Sequence, residues 1–439
     1  MRRFICAVVA VVMSIGFLGC SGKSPATDVK EKNSVTEIAW WTFPSFSQEK
    51  GDDLSGCYEQ KLIDEFEKKH KDIKIKLNVI DFATGPEKLE YAIKNNAVCD
   101  VLFDAPGRII SYGKRNLLVS LDDLFTEEFE KDVNSKELLD ACKINGKPYM
   151  YPLSSAPFYM AFNKEYLEKA GVSDLVKEGW TTDDFTKTVT ALHNAGYISG
   201  ILYCDGKSGD QGTRAFMANL FSSAIISPDL SEYTINDENG KKAFNYVKKM
   251  LDSGLIRNGS GQDSTTTIAR FAEGNCSYTV LWGPSQQTYF EDTLKKAGVE
   301  TIEVPYPSDD GIPELEYLIN GFCVFNNGDE DKINASKEFI KFLCDDEEWG
   351  KKNVVRTGCF SVRNSFGDLY NNDRMKKIAE WEKYYGTYYN TVDGFDRMRV
   401  YWYESLQSLM FSIKTPDECV DDFVRLADKT LDKNEKEAK

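Results

Sequence analysis

The sequence predicts an α/β protein that is divided into two lobes. Its 439 residues are enough for two to three domains, and 41% of them are hydrophobic and 28% charged, as in an ordinary globular protein. Strand patterns alternate with amphipathic helix patterns early in the chain, which favours a parallel sheet covered by helices. The apolar segment 149–164 is the third observation, because the chain is predicted to pass there from one lobe to the other.

The first predicted elements follow a regular order. They are strand 36–41, helix 58–70, strand 73–79, helix 86–95 and strand 100–103. Ligands of parallel sheets bind outside the carboxyl ends of the strands. The loops 41–46 and 104–108 are therefore predicted to line a binding site.

Segment 149–164 reads YMYPLSSAPFYMAFNK and contains no acidic residue. Pro152 and Pro157 exclude a helix interior, so short buried strands are expected. A turn signal at 145–148 precedes the segment, and a helix at 164–170 that ends at Gly171 follows it. A single buried core strand without a hinge role is the alternative, and periodicity does not separate the two interpretations.

Later elements are predicted in the same way, with Thr181 or Thr182 as a helix cap. They are helices 182–193, 214–224, 239–253 and 333–344, strands 198–204, 277–281 and 322–325, a polar loop at 205–213, and a helical, aromatic-rich tail at 375–431.

The chain begins with a predicted signal peptide at 1–19. Arg2 and Arg3 precede an apolar stretch, 5–18, that is too short to span a membrane. The junction before Cys20 resembles a bacterial lipobox, which implies a lipidated Cys20 followed by a flexible tether, 20–35. An ordinary secretory signal with a coincidental cysteine is the alternative. The prediction is a protein at the outer face of the cell membrane, held there by the lipid alone.

Composition excludes several functions. A net charge of −16 opposes binding to nucleic acid. His70 and His193 are the two histidines and neither lies near a Ser or Cys motif, so we predict no catalytic triad, no metal site and no cofactor. The stretch 206–208, GKS, is not a P-loop, since position 201 is Ile201 rather than glycine. The nine cysteines besides Cys6 and Cys20 form no CxxC pair and are predicted to be buried hydrophobes.

Several stretches in a fixed order carry a family resemblance. They are strand 38–41 with its polar loop, DVLFDAPGRIISYGKRNLL at 100–118, the crossing at 145–164, the strand and Gly-Pro loop at 271–284, and RVYWY at 399–403. Together they resemble the extracellular solute-binding proteins of bacterial ABC importers, family 1, in particular the maltose- and oligosaccharide-binding lipoproteins.

That resemblance implies a type II periplasmic-binding-protein fold, in which two α/β lobes joined by a multi-strand hinge close over a ligand. On this basis residues 36–154 and 318–358 form lobe one. Residues 155–317 and 359–432 form lobe two.

The resemblance also assigns candidate ligand contacts, and no catalytic residue. Arg108 matches a ligand-contacting arginine and Trp402 a stacking tryptophan, while Asp210 and Gln211 fall at a contact pair. Sugar recognition needs flat aromatic faces and charged groups that bond to hydroxyls. The full predicted set is Trp41, Thr42, Phe43, Asp104, Arg108, Asp210, Gln211, Trp282, Tyr401 and Trp402.

The predicted function is a monomeric, lipid-anchored receptor that binds a carbohydrate, an oligosaccharide, and delivers it to an ABC transporter permease without a catalytic step. Asp104, Ala156 and Ser285 depart from the maltose binder and leave the sugar open. One alternative is another polar metabolite such as glycerol phosphate, which the glycine-rich helix start and Arg108 motivate. A surface glycosidase is the other alternative, because the sequence does not give the separation of its carboxylates.

Overall fold

The structure is a computed structural model that describes residues 35–48, 55–82, 84–206 and 209–431. The predicted signal peptide, Cys20 and the tether up to Ser34 lie outside the described residues. None of the helices within those ranges combines the length and the hydropathy that a membrane span requires.

The strands of the described chain occur in thirteen segments. They are β1 (Thr36–Thr42), β2 (Ile73–Val79), β3 (Val101–Asp104), β4 (Lys143–Ile144), β5 (Lys147–Pro148), β6 (Tyr151–Pro157), β7 (Tyr159–Asn163), β8 (Ile201–Asp205), β9 (Arg257–Asp263), β10 (Tyr278–Trp282), β11 (Thr301–Val304), β12 (Tyr317–Val324) and β13 (Phe360–Ser361).

The helices lie between the strands and fill the tail. They are α1 (Cys57–Lys69), α2 (Gly85–Lys94), α3 (Pro106–Lys114), α4 (Glu127–Asp132), α5 (Lys136–Ala141), α6 (Lys164–Ala170), α7 (Thr182–Asn194), α8 (Asp210–Asn219), α9 (Glu238–Asp252), α10 (Ser264–Ala272), α11 (Pro284–Tyr289), α12 (Glu291–Ala297), α13 (Glu330–Asp345), α14 (Trp349–Thr357), α15 (Asp373–Ala379), α16 (Phe395–Met410) and α17 (Pro416–Leu431).

Two hydrophobic cores divide the described residues into a first and a second lobe, as the sequence predicted. The first core draws on residues 38–153 and 317–362 and includes Trp40, Phe103 and Phe339. The second core draws on residues 158–315 and 375–427 and includes Trp180 and Tyr278. The lobe limits predicted from the resemblance, at 154, 317 and 358, remain predictions.

The first lobe contains a six-stranded sheet in the order β13-β6-β12-β3-β1-β2. Strands β2, β1 and β3 are parallel, as the alternation of strands and helices predicted. The sheet is not parallel throughout, since β12 pairs antiparallel with both β3 and β6. Strand β12 returns from the second lobe and enters the sheet from the opposite end.

The second lobe contains a three-stranded sheet, β10-β7-β11, and a parallel pair, β8 and β9. The chain leaves the first sheet at Pro157 and enters the second at Tyr159, so the predicted crossing segment joins two sheets. It returns through Glu316 into β12 and crosses again after β13. Three segments therefore connect the lobes.

Most of the predicted helices are confirmed with small shifts at their ends. Thr181 caps α7 and forms a capping box with Asp184, and Gly171 ends α6 with φ 71°. The predicted loop 205–213 is wrong in its second half, because α8 already begins at Asp210. Gly209 precedes α8 with φ 84°, a left-handed conformation that glycine adopts without strain.

Candidate ligand site between the lobes

The first lobe presents the carboxyl ends of its parallel strands to the candidate site. Thr42 pairs with Phe103 in the register of β1 and β3, so Phe43 and Asp104 emerge side by side. Asp104 is followed at once by α3, which begins at Pro106, and Arg108 is the third residue of that helix. The spacing of four residues brings the Arg108 side chain back over Asp104.

Arg108 and Asp104 form a bidentate ion pair. Arg108 Nε donates to Asp104 Oδ2 at 2.5 Å and Nη2 donates to Oδ1 at 2.6 Å. Burial acts to lower the pKa of Arg108, but the adjacent Asp104 carboxylate outweighs it and the net pKa is raised. The guanidinium is therefore always positively charged, and its two hydrogen bonds to Asp104 fix its orientation.

A stack of three flat groups continues from this ion pair toward solvent. The Arg108 guanidinium carbon lies 4.8 Å from the centre of the Phe43 ring. Phe43 is buried and stacks on Phe82 with 5.0 Å between ring centres and 11° between planes. Phe82 is 49% exposed, so this end of the stack is open to solvent. The sequence interpretation named Phe43 and missed Phe82.

The second lobe presents a buried ion network that starts at the first residue of α8. Arg214 is fully buried; its Nη1 forms an ion pair with Asp210, and its Nη2 lies 2.8 Å from Glu316 Oε2. Its Nε also donates to the Tyr389 hydroxyl at 2.8 Å. Burial raises the pKa of Tyr389 well above its ordinary value, so the hydroxyl stays protonated and donates to Glu316. The network holds α8 against the segment that enters β12.

Arg399, in the second turn of α16, extends this network toward the first lobe. Its Nε donates to Asp210 Oδ1 at 2.6 Å. The Phe395 ring contacts both Arg399 and Arg214, with 5.5 Å from its centre to each guanidinium carbon. Burial lowers the pKa of Arg399, and the positive charges of Arg214 and Arg108 add to this effect, so that the pKa falls to about 10.

The two sides of the site face each other across a short gap. A Cβ atom at Gly107 would lie 3.0 Å from the Asn390 carbonyl oxygen and 3.7 Å from Phe395 Cδ1. Further along α3, Lys114 Nζ donates to the Thr391 carbonyl oxygen at 2.7 Å. The start of α3 in the first lobe therefore approaches the start of α16 in the second, which brings the two arginine–aromatic stacks together.

The remaining predicted residues do not all reach this gap. Trp402 has no exposed surface, donates from Nε1 to Thr213 Oγ1 at 2.9 Å and packs edge-on against Phe244 and Phe423. Trp282 is also fully buried and packs against Phe271. In this structure both indole rings belong to the core of the second lobe and present no face to a ligand.

The four other predicted residues differ in how far they are buried and in their hydrogen bonds. Thr42 is fully buried and its hydroxyl donates to the Phe43 carbonyl oxygen at 2.9 Å. Trp41 and Gln211 are partly buried beside residues of the site. The Tyr401 hydroxyl accepts a hydrogen bond from Arg397 Nε at 3.1 Å on the surface of α16. Of the four, Thr42 is the one with a hydrogen bond to a residue of an arginine stack, through the main chain of Phe43.

The chemistry of the site is that of recognition by hydrogen bonds and ring faces. Its guanidinium groups donate in pairs, its carboxylates accept, and its aromatic rings offer flat apolar surfaces, which together suit a ligand rich in hydroxyl groups. Within the described ranges, no group of three or more His, Cys, Asp or Glu side chains is placed to hold a metal ion.

The fold and the site define a two-lobed solute-binding protein. The chain belongs to the bacterial extracellular solute-binding protein family, whose profile matches residues 61–394. This membership confirms the resemblance seen in the sequence.

The chain is similar to one relative in sequence and to two solved proteins in structure. The chain is 22% identical to the arabinooligosaccharide-binding protein of Bacillus subtilis (strain 168) over 388 residues, which cover 86% of this chain and 83% of that protein. Its structure is similar to the GacH receptor of Streptomyces glaucescens, solved unliganded and with acarbose, with a TM-score of 0.75, 17% identity and coverage of 90% of this chain and 98% of the receptor. An ABC substrate-binding protein of Listeria monocytogenes, solved with cycloalternan, gives a TM-score of 0.71 at 20% identity and covers 90% and 99% of the two chains. The two structural likenesses support the fold.

Proposed function

We propose that this protein captures an oligosaccharide between its two lobes and delivers it to the permease of an ABC importer. The observation that carries the proposal is the pair of facing arginine–aromatic stacks, Arg108 with Phe43 and Phe82 in the first lobe and Arg399 with Phe395 in the second. Sugars bind through ring faces and through hydroxyl groups held by charged partners. The relatives support the same ligand class, since the Bacillus protein is named for arabino-oligosaccharide and the Streptomyces receptor was solved with acarbose.

The charge balance of the site favours an uncharged sugar over an anionic metabolite. Each guanidinium is already paired: Arg108 with Asp104, Arg214 with Glu316, and Arg399 with Asp210. A phosphate ester such as glycerol phosphate would bring a further negative charge beside these carboxylates, and the like charges would repel. A neutral polyol donates to the same carboxylates without that cost.

The carboxylates of the site also suit a binding protein better than they suit a glycosidase. A glycosidase needs one carboxylic acid that holds a proton and a second carboxylate on the other side of the scissile bond. Asp104 and Asp210 instead accept hydrogen bonds from Arg108 and Arg399. We therefore propose that the bound sugar leaves unchanged.

The cellular setting remains as the sequence predicts it. A lipid on Cys20 would anchor a monomer to the outer face of the membrane, with the tether 20–35 between lipid and globular part. Radiolabelled palmitate incorporated by the producing cells, and its loss in Cys20→Ser, tests this anchor.

Isothermal titration calorimetry against a panel of arabino-oligosaccharides, malto-oligosaccharides and glycerol phosphate tests the function. We expect saturable binding of at least one neutral oligosaccharide and no product when the mixture is analysed by chromatography. Binding of glycerol phosphate alone would favour the second metabolite class. Cleavage of a bound oligosaccharide would show the glycosidase instead.

A further inference from the structure

A cavity lies at the hinge, and none of the residues that line it belongs to the candidate ligand site. Its volume is about 350 Å³, within the usual range of small-molecule pockets. Ser155 of β6 and Phe360 of β13 form one wall, and Met375, Glu382 and Tyr385 form the other. The cavity therefore touches the first and third segments that connect the lobes.

The charged side chains that line this cavity are Arg363, Asp368, Lys376 and Glu382, and three of them form ion pairs. Arg363 donates from Nε and Nη1 to two aspartates of the first lobe, at 2.7 and 2.5 Å. Lys376 Nζ lies 3.5 Å from an Asp368 carboxylate oxygen. Glu382 is different, because within the described part of the chain no hydrogen bond or ion pair reaches its carboxylate. Burial raises the pKa of Glu382, because burial disfavours the ionised carboxylate. Among the described residues, no positive group offsets this effect.

The surface around Glu382 is mixed, with polar side chains such as Asn134 and Ser155 and with several apolar groups. Phe360, Leu369, Met375 and the ring of Tyr385 line the same space. Tyr370 also lines it, but its hydroxyl is engaged with the Cys359 carbonyl oxygen at 2.6 Å. A carboxylate without a partner beside hydrocarbon and aromatic groups is complementary to a molecule with one positive group and an apolar body.

We propose that the hinge cavity binds a small organic cation of the alkylammonium class. The ammonium group pairs with the Glu382 carboxylate, and the carbon chain lies against Phe360 and Met375. The ligand supplies the counter-charge that the described residues do not.

Such a ligand contacts both lobes and two of the connecting segments. If the bound cation changes the affinity for a sugar between the lobes, the sugar must change the affinity for the cation by the same factor. This consequence rests on the proposed function, whereas binding of the cation does not.

Calorimetric titration of the full chain with n-butylammonium chloride tests the site, and 1-butanol serves as the uncharged control. The informative variant is Glu382→Gln. Its matched control is Glu380→Gln, which makes the same charge change at an exposed position outside the cavity, two residues earlier in the same 3₁₀ turn. We expect saturable binding to the natural protein and to E380Q, and binding to E382Q that is weaker by about tenfold or more.

In these titrations, the proposal would be overturned by no saturable binding to the natural protein, by equal binding to E382Q, or by butanol that binds as tightly as butylammonium. Ala379→Leu, which fills the cavity and keeps Glu382, should abolish binding and provides a second test if E382Q does not fold. Complete competitive displacement by a bound oligosaccharide would place the cation between the lobes and also refute the hinge site. If no sugar binds at all, the cation titration still stands, so the two proposals fail separately.

Discussion

Phe82 provides the sharpest test of the proposed sugar site, because its ring is the exposed end of the first-lobe stack. Replacing Phe82 by alanine removes that surface and leaves Phe43 and Arg108 in place. We expect weaker sugar binding with little change in the stability of the fold, since the ring is 49% exposed.

The magnitude follows from the exposed area. A phenylalanine side chain has roughly 200 Å² of surface, so about 100 Å² of Phe82 is open, and a sugar on one face would cover about 50 Å² of it. At about 25 cal/mol per Å² of apolar surface, this contact contributes about 1 kcal/mol. The dissociation constant should therefore rise about fivefold.

The assay is calorimetric titration of Phe82→Ala with the best sugar of the panel. Phe411→Ala is the matched control: Phe411 is 61% exposed and lies just after the end of α16 opposite to Phe395, about 24 Å along that helix. Equal affinities for the two variants, or a loss of binding in the Phe411 variant alone, would refute the placement of the sugar on the Phe82 platform.

Three further predictions concern the second lobe. Trp402→Phe should lower the free energy of unfolding by about 1–3 kcal/mol in urea titrations and leave sugar affinity unchanged, because the indole is buried and hydrogen-bonded; an affinity loss without destabilisation would restore Trp402 as a stacking residue. Arg214→Met should cost about 3–5 kcal/mol in the same measurement, since the buried Asp210 and the partly buried Glu316 both lose an ion-pair partner; an unaltered midpoint would contradict this. Glu178→Gln should cost about 1 kcal/mol at pH 7. The hydrogen bond from Lys383 holds the pKa of Glu178 below its ordinary value, so this stability difference is present above the ordinary pKa of a glutamate and should shrink as the pH falls through the lowered value; a difference that grows on acidification would contradict the reasoning.

The first lobe could be predicted well because its elements are local and regular. Strands β1 to β3 follow period-two or fully apolar patterns, and the intervening helices have distinct apolar faces. The rule for the ends of parallel strands then correctly placed Phe43, Asp104 and Arg108 in one cluster. The same rule applied to the end of β2 would have found Phe82.

The second lobe was harder because tertiary contacts decide its local structure. Strand β9 has the sequence RNGSGQD, which reads as a loop and becomes a strand by pairing with β8. The start of α8 was missed since glycine and aspartate are typical of turns, although Asp210 and Arg214 are spaced as an ion pair on a helix. Glu316 and Tyr389 meet Arg214 from distant parts of the chain, and no local pattern indicates that contact.

Trp402 shows how a resemblance can outweigh a local pattern. Met398, Trp402, Leu406 and Leu409 recur at intervals of four, four and three residues, and all four are buried. That stripe predicts the core face of α16, while Arg399, one residue after Met398, lies outside the stripe and donates to Asp210. Periodicity alone would have selected the arginine rather than the tryptophan.

The nine described cysteines are all free, and eight of them are buried. Burial raises the pKa of the thiols of Cys99, Cys323 and Cys344, so reactive thiolate forms only when the chain opens. Denatured molecules that meet oxygen will cross-link at random and lose the route back to the native state. Reversible refolding of this receptor therefore requires a reductant throughout.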